Sequence, residues 1–295
     1  MKSLYQYLQE AERTRTAIGH FNVANLEQLK AIIAAVLTIK KELNKELPMI
    51  VGVSEGEREF IGVKNCVSLI KNFREEMRLP IFLNADHTRS LEKVKEAAEA
   101  DFDAIIFDGS KLELEENIKQ TKEAVSIVKT LNSHIIVEGE LGYIGGGSEI
   151  LKEIPEGAAI KTEDLTKPEE ALHFIEETGV DMFAPAIGNL HGMFANLPNP
   201  DLNIARIAEI KSAIVLPLVL HGGSGTKDED FVKAIEAGIN IIHISTELRY
   251  AWRKGLEQSF ATNPDELAPY KLMLLVIEKI SKIAENRLKL FNHLT

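Results

Sequence analysis

The sequence predicts an α/β fold: a single (β/α)8 TIM barrel with an extra C-terminal helix. Three observations carry this reading. The chain has 295 residues, the length of one such barrel rather than of two ordinary domains. Eight short runs rich in β-branched residues recur along it. Longer segments of helical period lie between them, and strands that alternate with helices imply parallel pairing through crossover connections. An open, doubly wound sheet is the alternative, but eight repeated units close naturally into a barrel.

The elements follow in order. The opening MKSLYQYLQEAERTR is a short amphipathic helix. The strand runs occupy 17–23, 49–53, 81–85, 104–107, 135–139, 182–187, 216–220 and 239–244. Apolar residues at helical spacing fill 26–43, 91–100, 115–131, 168–178, 204–213 and 228–237, and 270–294 reads as the extra helix. No linker or low-complexity segment interrupts the pattern, so residues 1–295 form one domain.

Composition narrows the function. Apolar residues make up 45% and charged residues 27%, as in a folded globule rather than a disordered chain. The net charge is 34 − 45 = −11, which argues against nucleic acid or an acidic membrane surface as partner. A small anionic substrate remains compatible, because backbone amides and a metal bind phosphate locally. The one cysteine, Cys66, allows no internal disulfide, fits a reducing compartment and reads as a packing thiol. The first helix lacks the apolar stretch of a signal peptide, and no apolar run is long enough to span a bilayer, so a cytoplasmic protein is expected.

Barrel enzymes place their chemistry at the C-terminal ends of the strands. Here those ends carry Asn22, Ser54-Glu55, Asp86-His87, Asp108, Glu138-Gly139-Glu140, His191-Gly192, His221 to Gly225 and His243 to Glu247. Closure would gather His87, His191 and His221 from three strands. Three protein ligands with an open fourth position form a catalytic zinc site, where the metal is a Lewis acid. One such histidine alone reads better as a packed residue; three, each beside Gly or Asp, favour the metal. A carboxylate beside a bound cation stays ionised and can take a proton from a substrate hydroxyl, the role expected of Asp86. Its alternative, a helix cap, is better filled by Ser90.

The run His221-Gly222-Gly223-Ser224-Gly225 enters a helix, where backbone amides and the helix N-terminus favour an anion. Ser245 and Thr246 add hydroxyls after the eighth strand, and the loops after strands seven and eight commonly hold phosphate. The glycine-rich segment 142–147, followed by Ser148 and Glu149, reads either as a mobile lid carrying Glu149 as proton donor or as a surface excursion.

Taken together, HFN (20–22), ADH (85–87), FDGS (107–110), VEGELG (137–142), TGVDMFAPAIGNLHG (178–192), PLVLHGGSG (217–225) and STE (245–247) resemble the class II fructose-bisphosphate aldolase family, which includes the tagatose-bisphosphate aldolases. The resemblance spans essentially the whole chain. It implies a zinc held by His87, His191 and His221, with Asp86 as the catalytic acid/base. Asp108 and Glu140 would mark an alternative metal position, with room for a monovalent cation. Gly192, Gly222, Gly223, Ser224, Ser245 and Thr246 would bind the ketose C1 phosphate; Asn22, Ser54 and His243 would line the pocket. With the C2 carbonyl polarised by the metal, Asp86 would take the C4 hydroxyl proton and the C3–C4 bond would break. The products of fructose 1,6-bisphosphate would be dihydroxyacetone phosphate and glyceraldehyde 3-phosphate, a step of glycolysis and gluconeogenesis, in a homodimer or homotetramer.

Four departures stand out. Met193-Phe194-Ala195 lacks the lysine usual near the phosphate, so weakened phosphate binding is expected. His243 replaces an asparagine, Glu149 lies one place later than the usual lid glutamate, and no arginine is evident in Pro269-Tyr270-Lys271. A metal aldolase for tagatose 1,6-bisphosphate or a singly phosphorylated sugar is therefore the alternative enzyme. A non-catalytic sugar-phosphate-binding barrel is the alternative outside catalysis.

Overall fold

In the computed structural model, which describes residues 2–294, eight parallel strands close into a barrel. They are β1 (Ile18–Asn22), β2 (Met49–Val53), β3 (Ile81–Thr88), β4 (Ala104–Phe107), β5 (Ile136–Leu141), β7 (Met182–Pro185), β9 (Leu218–Leu220) and β10 (Ile239–Ile244). The order around the barrel is β1-β10-β9-β7-β5-β4-β3-β2, so each barrel strand lies beside its sequence neighbours and β10 closes onto β1. Two further strands of two residues each, β6 (Ile150–Leu151) and β8 (Met193–Phe194), pair outside the barrel.

The strands are legible as continuous apolar runs because both of their faces are buried. One side chain set fills the barrel: Ile18, Ile50, Phe82, Ala104, Ile136, Met182, Val219 and Ile241. Helix α1 (Leu4–Thr14) inserts Leu4, Leu8 and Ala11 into that cluster, from successive turns of one face. The opening helix therefore seals the barrel. Its own start is fixed by a capping box between Ser3 and Gln6.

The larger core lies between strands and helices. Helix α2 (Leu26–Leu43) and the C-terminal α11 (Pro269–Phe291) pack together, and α11 buries Leu272, Val276, Ile280, Ala284, Leu288 and Phe291 along one stripe. The other helices are α3 (Glu55–Ile61), α4 (Val63–Met77), α5 (Leu91–Glu99), α6 (Leu114–Leu131), α7 (Pro168–Thr178), α8 (Ile204–Ala213), α9 (Asp228–Ala237) and α10 (Thr246–Thr262). Cys66 is buried in α4 as a packing thiol, and burial pushes its thiol up to about 11. No helix among the described residues is long and apolar enough to cross a membrane.

Close packing of β1 against β2 yields a stability test. A Cβ built on Gly52 would stand 2.1 Å from Cε1 of His20, whose ring is buried and stacked at 3.4 Å on His243. The ring has nowhere to go, so Gly52→Ala should destabilise the fold by about 1–3 kcal/mol. Thermal unfolding should show a lowered midpoint. Gly56→Ala, with no heavy atom within 4 Å of the new Cβ, should leave it unchanged or slightly raised. Equal midpoints for both variants would contradict this packing account.

Candidate metal and catalytic site

The site starts from an irregularity in β3. Its register shifts between Ala85 and Thr88, and His87 adopts φ 45°. On a regular strand Asp86 and His87 would point to opposite faces; here the local turn presents both to the barrel mouth. Arg58, from α3, secures this turn. Its buried guanidinium donates to the carbonyls of Val53 (3.2 Å) and Asp86 (3.1 Å) and to Oγ1 of Thr88 (3.0 Å).

His191 follows β7 and His221 follows β9. With His87 they bring one ring nitrogen each within 4.8 Å of one another. The opposite nitrogen of every ring has an acceptor. His87 Nδ1 lies 3.0 Å from Asp108 Oδ2, His191 Nδ1 lies 3.0 Å from the Gly145 carbonyl, and His221 Nε2 lies 2.7 Å from Glu138 Oε1. These contacts leave Nε2 of His87, Nε2 of His191 and Nδ1 of His221 as the inward nitrogens. An outer acceptor on each imidazole is what a metal site requires to fix ring and tautomer, so the residues fit a divalent ion.

The three imidazoles differ in their electrostatics when no ion is bound, and a metal would have to displace the proton that His87 and His221 favour. Burial and the neighbouring imidazoles push His191 down to about 3, so it is neutral. Burial works against protonation of His87, but Asp86, Asp108 and Glu140 overcome it and raise the ring to about 10. His221 is also raised, burial being outweighed by Glu138. Glu138 was visible in the sequence at its strand end but had no role. It stands two residues from Glu140 on β5, and this period-two spacing puts both side chains on one face.

Asp108 and Glu140 meet His87 on its other side, with Glu140 Oε2 3.6 Å from Nδ1. Burial and the charge of Asp108 push Glu140 up to about 8. Asp86 behaves oppositely. Burial would raise it, yet His87, His243 and His20 hold it well below the usual carboxylate range. Its Oδ2 accepts from Asn22 Nδ2 at 2.8 Å, and its Oδ1 lies 3.5 Å from His243 Nδ1. His243 in turn stacks on His20 with an interplanar angle of 3°. With Asp86 these two rings form a second buried group whose ligand atoms lie within 4.8 Å of one another. Burial and the adjacent His20 keep His243 neutral, and burial lowers His20 to about 4.

Above these groups lies a cavity of about 230 Å³. Asn22, Ser54, Asp86, His87, His191, Gly192, Gly222, Ser224, His243, Ser245 and Thr246 all line it. Gly222 has φ 63°, and a Cβ there would stand 2.2 Å from the Leu190 carbonyl oxygen; only glycine allows this approach. Gly223 packs directly against the His243 carbonyl rather than facing the cavity. Ser224 Oγ accepts from the amides of Ser245 and Glu247, both at 3.2 Å, at the start of α10. Asn199, which the sequence reading passed over, ties the two glycine loops by donating to the carbonyls of Gly192 (2.9 Å) and Ser224 (3.0 Å).

The lid reading divides. Gly146, Gly147 and Ser148 line the cavity, whereas Glu149 is exposed and outside the lining. The backbone explains this: Met193 donates to the Glu149 carbonyl at 3.0 Å, and β6 pairs with β8 directly after it. Ala195 is also exposed and outside the lining. The cavity contains two cations that the sequence reading did not name, Arg89 and Arg249. Arg249 lies three residues beyond Thr246 in α10, away from the segment after His191 and from the C-terminal tail.

Comparison with known proteins agrees with this geometry. The family described as fructose-bisphosphate aldolase class-II matches residues 2–294. A fructose-bisphosphate aldolase of Geobacillus stearothermophilus is 34% identical over 274 residues, 92% of this chain and 90% of that one. A 6-phospho-5-dehydro-2-deoxy-D-gluconate aldolase of Shouchella clausii (strain KSM-K16) is 33% identical over 287 residues, 96% and 92% of the two chains. Among solved structures, the YdjI aldolase from Escherichia coli K12 has a TM-score of 0.79 and 30% identity, covering 99% of this chain and 97% of that chain.

Proposed function

Because the chain belongs to the class-II fructose-bisphosphate aldolase family, a family of metal-dependent aldehyde-lyases acting on phosphorylated sugars, we propose that it cleaves a ketose bisphosphate. The substrate proposed is fructose 1,6-bisphosphate and the metal zinc. The single observation that carries this reading is the convergence of His87, His191 and His221 beside an ionised Asp86 in one cavity.

His87, His191 and His221 would hold the ion, which when bound supplies Lewis-acid polarisation of a carbonyl. The rest falls to the chain's own residues. Asp86 accepts the proton of a substrate hydroxyl, as an ionised carboxylate beside the ion can. Asn22 orients the carboxylate through Oδ2, and Arg58 holds the backbone that carries it. Gly192, Gly222, Ser224, Ser245 and Thr246 would form the phosphate end, beside the N-terminus of α10. Gly146 to Ser148 cover the mouth and limit water. Glu149 would reach the reacting carbons only if the segment before it moves.

A singly phosphorylated ketose is the second reading. It is supported by the relative named for a singly phosphorylated dehydro-deoxygluconate, an oxo-sugar acid, whose identity to this chain is nearly that of the fructose-bisphosphate aldolase. An assay of metal-loaded protein against a panel of ketose phosphates separates the two. Triose phosphate release from fructose 1,6-bisphosphate is expected. Cleavage confined to singly phosphorylated ketoses would favour the second reading, and no cleavage of any ketose phosphate would contradict both.

A further inference from the structure

A carboxylate that the cavity itself does not expose ties its phosphate end together. Ser224, Ser245 and Thr246 line the cavity, whereas Gly225 and Glu247, the next residue in each segment, lie outside the lining. Ser224 Oγ accepts from the amides of Ser245 and Glu247, both at 3.2 Å. Glu247 returns the contact: its Oε1 accepts from the Gly225 amide at 3.0 Å. The glycine loop and the start of α10 are thus tied in both directions. The same carboxylate, however, sets a negative charge directly behind the groups proposed to bind an anion. Left uncompensated, that charge would repel a phosphate.

Arg287 of α11 supplies the compensation. Its Nη2 donates to Glu247 Oε1 at 2.7 Å and its Nε to Glu247 Oε2 at 3.0 Å, a two-pronged pair. The two side chains are only 16% and 12% exposed, so solvent and salt screen the pair weakly. The third nitrogen, Nη1, donates to Asp228 Oδ1 at 2.6 Å in the first turn of α9, and the guanidinium lies 5.0 Å from the centre of the Phe231 ring. The helix that carries Arg287 is itself tightly seated. A Cβ on Gly255 of α10 would stand 2.9 Å from Val276 Cα, so α10 and α11 approach backbone to backbone. Leu288, beside Arg287, is fully buried.

We propose that Arg287 is a positioning residue that holds and neutralises Glu247, so that this carboxylate orders the glycine loop without repelling the substrate phosphate. The proposal rests on the ketose-phosphate reading, which it deepens by making phosphate affinity depend on a charge pair outside the cavity. Neither side chain lines the cavity; the pair acts through Gly225, Ser224 and the start of α10.

The test uses metal-loaded wild type, Arg287→Met, Glu247→Gln and the double variant. Inorganic phosphate binding is followed by titration calorimetry, and ketose bisphosphate cleavage by kinetics. Arg287→Met leaves the carboxylate unpaired, and should weaken phosphate binding and raise KM by about tenfold. Because the change lies away from the reacting carbons, kcat should move much less. Glu247→Gln keeps an oxygen for the Gly225 amide and removes the charge, so it should bind phosphate more tightly than wild type. The double variant, with both charges gone, should return to near the wild-type affinity, a recovery that a purely structural role would not give. Unchanged affinity in Arg287→Met overturns the proposal. So does weaker binding in Glu247→Gln, a double variant as weak as Arg287→Met, or wild-type protein that binds no phosphate. If Arg287→Met does not fold, Glu247→Gln alone decides: tighter binding supports the proposal, and equal or weaker binding overturns it. If wild type cleaves no ketose phosphate, the functional reading fails, while the phosphate titration still decides the role of Arg287.

Discussion

Asp86→Asn is expected to cut turnover by about 10²–10⁴-fold, the range for a lost general acid/base, while metal content stays near that of wild type. The substitution keeps the shape of the side chain and an oxygen to accept from Asn22 Nδ2, which now approaches Oδ2 at 2.8 Å. It removes the basic carboxylate that His87, His243 and His20 hold in its ionised form. The inward nitrogens of the three histidines stay in place, because their outer contacts run to Asp108, Gly145 and Glu138 and not to Asp86. Metal analysis and steady-state kinetics on the same preparation check the claim. A variant that loses its metal but keeps wild-type turnover per bound ion would make Asp86 a structural residue.

The second large effect belongs to His191. Of the three histidines it is the cleanest to remove: its Nδ1 bonds only the Gly145 carbonyl, whereas His221 is tied to the buried Glu138, and its loss would strand that charge. His191→Ala should lower metal affinity by more than the roughly 10–100-fold that loss of an outer partner costs. Cleavage activity should fall with it at stoichiometric metal. The circular dichroism spectrum should not change, since His191 stands at the rim and the core lies below it. Normal metal content with normal turnover would remove His191 from the metal site.

The barrel and the rim of the site were legible in the sequence for a specific physical reason. Parallel barrel strands are buried on both faces, so MIVGV (49–53) and INIIHI (239–244) read as apolar runs. The polar residues that follow such runs are then marked as strand ends, which is how Asp86, His87, His221 and Thr246 could be named. What stayed hidden came from elements without a clear period. Helix α3, with seven residues of which Glu57 and Arg58 are the buried ones, shows no apolar stripe. Its two buried charges nevertheless organise the site, Arg58 through the Asp86 backbone and Glu57 through Arg249 and Ser54. Helix α10 follows β10 directly without a clear apolar period, so the sequence does not connect Arg249 to Thr246. The two-residue strands β6 and β8 are too short to carry a pattern, so the sequence leaves open the choice between a lid and a surface excursion at Glu149. His20 and Glu138 were the nearest misses. Each lies two residues from a named site residue, Asn22 and Glu140, on the same strand face.

The most direct test of metal-dependent aldol cleavage is the release of triose phosphate from fructose 1,6-bisphosphate, followed in chelator-treated protein before and after adding back about one zinc ion per chain. The expected result is no measurable cleavage by the folded, metal-free chain and recovery of activity that saturates near one ion per chain. Full cleavage by metal-free protein would contradict the account, because His87, His191 and His221 would then converge without taking part in the chemistry.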